Sequence, residues 1–315
     1  MRPLGKIFLY ASAVLLGGAL AAPQAWHLIQ ALPPDLMGGL IGEVQRMPFH
    51  RYLSRSLQVA AILLLLPLLR SLRIRSLSEF GLHRNDHALR DLATGVSAGL
   101  LCALLLQSVL LLTGAFGLSA VWSPSVLPRI LMTAVAVAVI EEFLFRGVLL
   151  GFFRRIMTPA AALLFSSLFF AGVHFLNLPA HGATAMPPCW WSGLAMLGAV
   201  GSTLPAWSLT GWAFATLFAA GILLGWLTIR TGSLWAPVGL HGSWVFGQQL
   251  FNSAARFQAS SPEAMLPLAG PSQCHGAVPV GVAPLLSLLC AAVLAVLLLR
   301  RRPRPAQHGI IRHGG

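Results

Sequence analysis

Two adjacent glutamates, Glu141 and Glu142, followed four residues later by Arg146, lie inside the apolar run AVAVIEEFLFRGVLLGFFRR of residues 136–155. On a helix, Glu142 and Arg146 share a face where an ion pair neutralises one carboxylate; Glu141 points about 100° away, with no partner on its own helix. A carboxylate placed in hydrocarbon costs roughly 2.5–3.5 kcal/mol on insertion scales, so an intramembrane acid is a functional candidate by default. Two histidines sit in later apolar runs: His174 closes Phe170-Ala171-Gly172-Val173-His174, and His241 opens His241-Gly242-Ser243-Trp244. At about 1.5 Å of rise per residue, Glu141 stands about 20 Å from Arg154, His174 about 22 Å from Pro159 and His241 about 12 Å from Ser233, which are compatible depths.

One glutamate and two histidines in a shielded, water-accessible cavity are the parts of a water-activating hydrolase. The carboxylate takes the proton, a histidine orients the water or protonates the leaving amine, and a polar donor holds the oxyanion. The same side chains, Glu141, His174 and His241, also make up a His2Glu zinc-ligand set, and spacing leaves both readings open. Structural roles compete with these. A lone intramembrane histidine serves equally well as a polar residue packing a helix interface, and Glu142 with Arg146 as a plain ion pair. Glu141 is harder to explain that way.

The elements that must position these groups are membrane helices. Of 315 residues, 57% are hydrophobic and 9% charged, with a mean hydropathy of +0.77, far from the balance of soluble domains. Apolar runs at about 7–26, 56–72, 92–116, 128–152, 159–178, 208–229, 233–252 and 281–299 are each near the ~20 residues needed to cross the hydrocarbon core. The expectation is an all-α, polytopic membrane helix bundle of about eight transmembrane helices. Residues 190–206, apolar but short and rich in glycine, are expected to be re-entrant or interfacial. The first run also resembles a signal peptide, with Ala19-Leu20-Ala21 as a cleavage site; an uncleaved helix is favoured.

The net charge of +13 comes almost entirely from arginines at the ends of apolar runs, so it reads as a topology signal and no nucleic-acid partner is expected. Arginines cluster between runs two and three, after run four, after run six and in the tail, which predicts cytoplasmic positions there and for both termini. Arg46, Arg51 and Arg55, in a segment this places outside, are a mild exception. Cys102, Cys189, Cys274 and Cys290 show no ligand spacing; Cys189 and Cys274 are the pair placed to form an extracytoplasmic disulfide.

Glu141-Glu142-Phe143-Leu144-Phe145-Arg146 matches EExxxR, Phe170 to His174 matches FxxxH, and Ser233 to His241 looks like a third motif around a histidine. In this order the three resemble the CPBP family of intramembrane proteases, relatives of type II CAAX prenyl endopeptidases and of bacteriocin-processing or immunity membrane proteins. The resemblance covers about residues 75–252. It divides the chain into N-terminal helices (1–74), a protease core (75–252), and a loop, last helix and basic tail (253–315).

The resemblance implies an intramembrane endopeptidase with Glu141 as base, His174 assisting it, His241 helping to hold the oxyanion, and Glu142 with Arg146 shaping the site. The implied partners are the lipid bilayer and a membrane-embedded or membrane-apposed peptide substrate; the implied location is a bacterial inner membrane. No cofactor is favoured, although the family has been described both as metalloproteases and as metal-independent glutamate proteases, and Zn2+ remains the alternative. The chain departs from the family pattern at Val245, where members often carry Asn; Ser243, Trp244 and Gln248 are the available substitutes. Two further readings stay open: a non-catalytic scaffold or immunity-type protein of the same fold, and a proton-coupled transporter using Glu141 and Glu142.

Overall fold

The computed structural model describes residues 3–72, 85–119, 123–175, 187–204, 206–271 and 280–300. Arg73, Arg75, Arg84, Cys274 and the arginines of the tail beyond Arg300, on which parts of the topology and disulfide expectations rest, lie outside the described residues. The chain packs into two compact units, one of Met1–Arg75 with Leu176–Leu204, the other of Ser76–Phe175 with Pro205–Gly315.

The first unit contains α1 (Pro3–Gln30), α2 (Leu40–Gln45), α3 (Phe49–Ser71) and the short α8 (Ser192–Gly198). The link from α1 to α3 is tied down by side chains. Gln45 Nε2 donates to the carbonyls of Ile29 and Leu32, each at 2.9 Å, and the Tyr52 hydroxyl donates to the carbonyl of Val44 at 2.8 Å. These bonds satisfy backbone acceptors left over at the end of α1 and in α2. The apolar segment after Trp190 forms only α8 and a 3-10 turn over Val200–Thr203. Both are too short to cross a bilayer.

The second unit contains α4 (Ala88–Leu112), α5 (Leu127–Glu142), α6 (Gly151–Ile156), α7 (Pro159–Val173), α9 (Trp207–Thr231), α10 (Trp235–Ala254) and α11 (Val282–Leu299). Phe143–Leu150, between α5 and α6, is a π-helix, so the chain stays helical over 127–156. The turns are encoded locally. Thr158 caps α7, its side chain accepting from Ala161 N, with Pro159 in the first helical turn. Gly232 ends α9 in the left-handed conformation at φ 64°. A two-stranded antiparallel ribbon, β1 (Phe116–Leu118) with β2 (Ala255–Phe257), joins the ends of α4 and α10.

Close backbone approach holds α10 at the centre. A Cβ on Gly95 of α4 would stand 2.0 Å from the Ala236 carbonyl oxygen, and one on Gly239 of α10 would stand 2.5 Å from the Leu92 carbonyl oxygen. Only glycine at both positions allows this spacing, as small residues do where membrane helices touch. On another face of α10, Gly242 meets Ala138 of α5. The core of the unit gathers Phe170, Leu224, Leu240, Trp244 and Leu288 from α7, α9, α10 and α11.

Among the described residues, five helices, α1, α3, α4, α9 and α11, are long and apolar enough to cross a membrane, and α7 is a shorter apolar helix. The architecture is a polytopic helical bundle, but the expected count of eight is not reached by length and composition alone. The run at 128–152 is divided by the π segment, and α7 ends at Val173, short of the expected 178. Leucines and valines facing outward on the spanning helices, such as Leu63, Leu104 and Val293, are exposed, as expected where the surrounding solvent is lipid.

Candidate active site

Glu141 and Glu142 form the last residues of α5, and Arg146 lies in the π segment that follows. The expected Glu142–Arg146 pair forms: Arg146 Nη1 donates to Glu142 Oε1 at 3.0 Å with both side chains buried. The guanidinium also stacks over the Phe170 ring, 4.2 Å from its centroid, a favourable placement for a desolvated cation. Glu142 Oε1 accepts a second bond, from Nδ1 of His241 at 2.8 Å. Sequence reasoning missed this link between α5 and α10. It puts a fully buried carboxylate between two donors, which offsets its desolvation.

His174 follows the last residue of α7 and serves as its C-cap. Its Nδ1 lies 2.7 Å from the Phe170 carbonyl oxygen; a carbonyl can only accept, so Nδ1 carries a proton and Nε2 is the ring nitrogen left to the site. His241 is oriented the same way, with Nδ1 on Glu142 and Nε2 turned outward. Both Nε2 atoms face one oxygen: Glu141 Oε2 stands 3.7 Å from His174 Nε2 and 3.9 Å from His241 Nε2. These distances exceed direct hydrogen bonding and invite a bridging group. Glu141 Oε2 is buried without a hydrogen-bond partner, while the side chain as a whole keeps 27% of its surface exposed. The cluster is therefore shielded without being sealed.

Two carboxylates adjacent in sequence thus have separate environments. Glu142 is consumed by Arg146 and His241; Glu141 faces only the histidine pair. Phe170 packs against both rings, with centroids 4.5 Å from His174 and 6.2 Å from His241. Phe145 meets Phe170 edge-on at 5.2 Å. These aromatics supply a low-dielectric wall that strengthens every charge interaction beside it.

Three acceptors directed at one point are also the donor set a zinc ion takes. Among the described residues, however, no group of three or more His, Cys, Asp or Glu side chains is arranged to hold a metal ion. Farther along α10, Ser243 and Gln248 already have partners: Ser243, turned toward Gly99 of α4, donates from Oγ to the carbonyl of Gly239 at 2.7 Å, and Gln248 Nε2 donates to Asn252 Oδ1 at 3.0 Å. Trp244 differs. Its indole Nε1 is buried and has no acceptor, although a buried Trp N–H ordinarily finds one. Helical side chains lean toward the N-terminus, so Trp244, three residues after His241, covers the turn at the level of that histidine.

No curated protein and no solved structure matches the chain. A family match accounts for the stretch that carries the cluster. Glu141, Glu142, Arg146, His174 and His241 all fall within residues 122–247, which match the family described as type II CAAX prenyl endopeptidase, Rce1-like, a family of CAAX-protease-type membrane enzymes.

Proposed function

We propose that the protein is an intramembrane endopeptidase that hydrolyses a peptide bond in a membrane-embedded or membrane-apposed substrate, using Glu141 as general base. The observation that carries this reading is the convergence of His174 Nε2 and His241 Nε2 on the unpartnered Glu141 Oε2, at 3.7 and 3.9 Å. In the mechanism, a water donates one hydrogen to Glu141 and the other to Nε2 of His174. Glu141 takes the proton as the water oxygen attacks the scissile carbonyl, then passes it to the leaving nitrogen, so that acid and amine products form without net proton change.

The Phe170 carbonyl fixes the ring of His174, and Glu142 fixes that of His241, so neither base has to reorganise during the reaction. His241, when protonated, donates from Nε2 to the developing oxyanion. Arg146 holds Glu142 in place through their 3.0 Å pair, which makes both of them positioning residues for His241. With Asn absent at Val245, the indole N–H of Trp244, buried without an acceptor, supplies the second oxyanion bond. A zinc ion bound by Glu141, His174 and His241 would serve as the Lewis acid in the competing metallopeptidase reading.

The arginine distribution supports a multi-pass inner-membrane protein with both termini cytoplasmic. The experiment is cleavage of a fluorogenic membrane-peptide panel by detergent-purified protein, comparing wild type with Glu141→Ala and His174→Ala, with and without chelator. Loss of cleavage in both variants, with chelator resistance, is the expected result. A variant that cleaves as fast as wild type refutes the role of that residue, and chelator sensitivity reversed by zinc replaces the glutamate mechanism with the metal one.

A further inference from the structure

Within the first unit, α1 and α3 diverge around an apolar groove of about 430 Å³. Its walls include Ala21, Ala25 and Ile29 from α1 and Val59, Ala60 and Leu63 from α3. The alanines leave the space that larger side chains would fill. At one end the lining changes character: Arg51 and Arg55, one turn apart on α3, border the groove and are exposed. Arg55 Nη1 donates to Gln58 Oε1 at 2.7 Å, and among the described residues neither arginine forms an ion pair with an acid.

We propose that this groove binds one acyl chain of an anionic phospholipid, with the lipid phosphate held by Arg51 and Arg55. Val59 and Leu63, on a helix fit to span a membrane, are exposed, so the groove opens to lipid. From Arg51 to Leu63 the helix rises about 18 Å, comparable with the ~15 Å of one leaflet in a ~30 Å hydrocarbon core. The ligand this selects is amphiphilic, with a chain one leaflet long and negative charge at one end. A peptide strand would find no edge of free backbone groups here. A second copy of this chain would bring the same arginines into mutual repulsion, and with 8 acids against 21 Lys and Arg it has little charge to offset them. The side chains that tie α1 to α3, Gln45 and Tyr52, hold the arginine end of the groove in shape.

The test measures binding of phosphatidylglycerol and, separately, phosphatidylcholine to delipidated full-length protein in detergent, by native mass spectrometry. Wild type is expected to prefer phosphatidylglycerol. Replacing both arginines, Arg51→Gln with Arg55→Gln, should weaken phosphatidylglycerol binding about twenty-five-fold, at roughly fivefold per arginine, and weaken phosphatidylcholine, whose choline already offsets its phosphate charge, by less. Ala25→Phe, which fills the groove with the arginines intact, should weaken it as well, while Arg70→Gln at the far end of the same helix should not. Equal binding of the two lipids by wild type overturns the proposal, as does a double variant or an Ala25→Phe variant within twofold of wild type. Retained phosphatidylglycerol binding with an altered oligomeric state would make the groove a self-association surface, which also overturns it.

Discussion

Breaking the pair between Glu142 and Arg146 should cost far more than removing it. Arg146→Leu leaves a fully buried carboxylate with only the His241 bond, and Glu142→Leu leaves a guanidinium at 4% exposure over the Phe170 ring without its bonded carboxylate. Each single change should destabilise by about 3–5 kcal/mol, the usual cost of orphaning one member of a buried ion pair. Added independently, the two would amount to about 6–10 kcal/mol. The double Leu variant orphans no charge; its main loss is the acceptor for His241 Nδ1, worth about 1–3 kcal/mol. The coupling energy should therefore be at least about 3 kcal/mol. Denaturant unfolding of the four proteins in one detergent measures it. Additivity within about 0.5 kcal/mol would refute the argument, since it would mean that the 3.0 Å bond and the burial around it carry no stability.

Further outcomes follow from the same geometry. Glu141→Gln should abolish cleavage while leaving thermal stability within about 0.5 kcal/mol of wild type, because Glu141 Oε2 accepts no hydrogen bond and stands 3.7 and 3.9 Å from its histidine neighbours; a large loss of stability would reassign it as structural. Trp244→Phe keeps the ring and removes the N–H, so kcat should fall about 10²–10³-fold, as for loss of one oxyanion donor, with KM little changed; an unchanged kcat removes Trp244 from the site. Gly95→Ala places a Cβ 2.0 Å from the Ala236 carbonyl and should cost about 1–3 kcal/mol or more. Gly172→Ala, with nothing within 4 Å of the added carbon, should be neutral or stabilising by up to about 1 kcal/mol. If thermal unfolding ranks the two alike, the helix spacing is wrong.

The sequence disclosed most of what is set by helical period and composition. Spacing of four made the pairing of Glu142 with Arg146 predictable, and the rise per residue brought His174 and His241 to the depth of Glu141. Contacts that depend on how helices cross were not legible. The bond from His241 Nδ1 to Glu142 needs α10 drawn against α5 at Gly242, a distance no linear pattern encodes. The ribbon of β1 and β2 escaped notice because three-residue strands carry no usable alternation. The unsatisfied indole of Trp244 was equally hidden: the sequence shows that Ser243, Trp244 and Gln248 are polar, but only packing reveals that two of them are already committed. The π segment replaced an expected continuous α-helix, since nothing in Phe143–Leu150 departs from ordinary helix-forming composition.

That π segment makes the active site sensitive to chain length. An α-helix advances about 100° per residue, and a widened stretch holds residues that a regular helix would have to place elsewhere. Closing 143–150 into α-helix with every residue kept would turn Phe152 and Phe153, both buried, by about 100° relative to Glu141, whereas removing one residue as the stretch closes would return them near their present phase. Inserting one residue would turn them by about 100°. The segment is therefore a phase adjuster: it lets the glutamates answer to α10 while the following turn answers to α7, two packing demands that a single uniform helix would have to satisfy with one register.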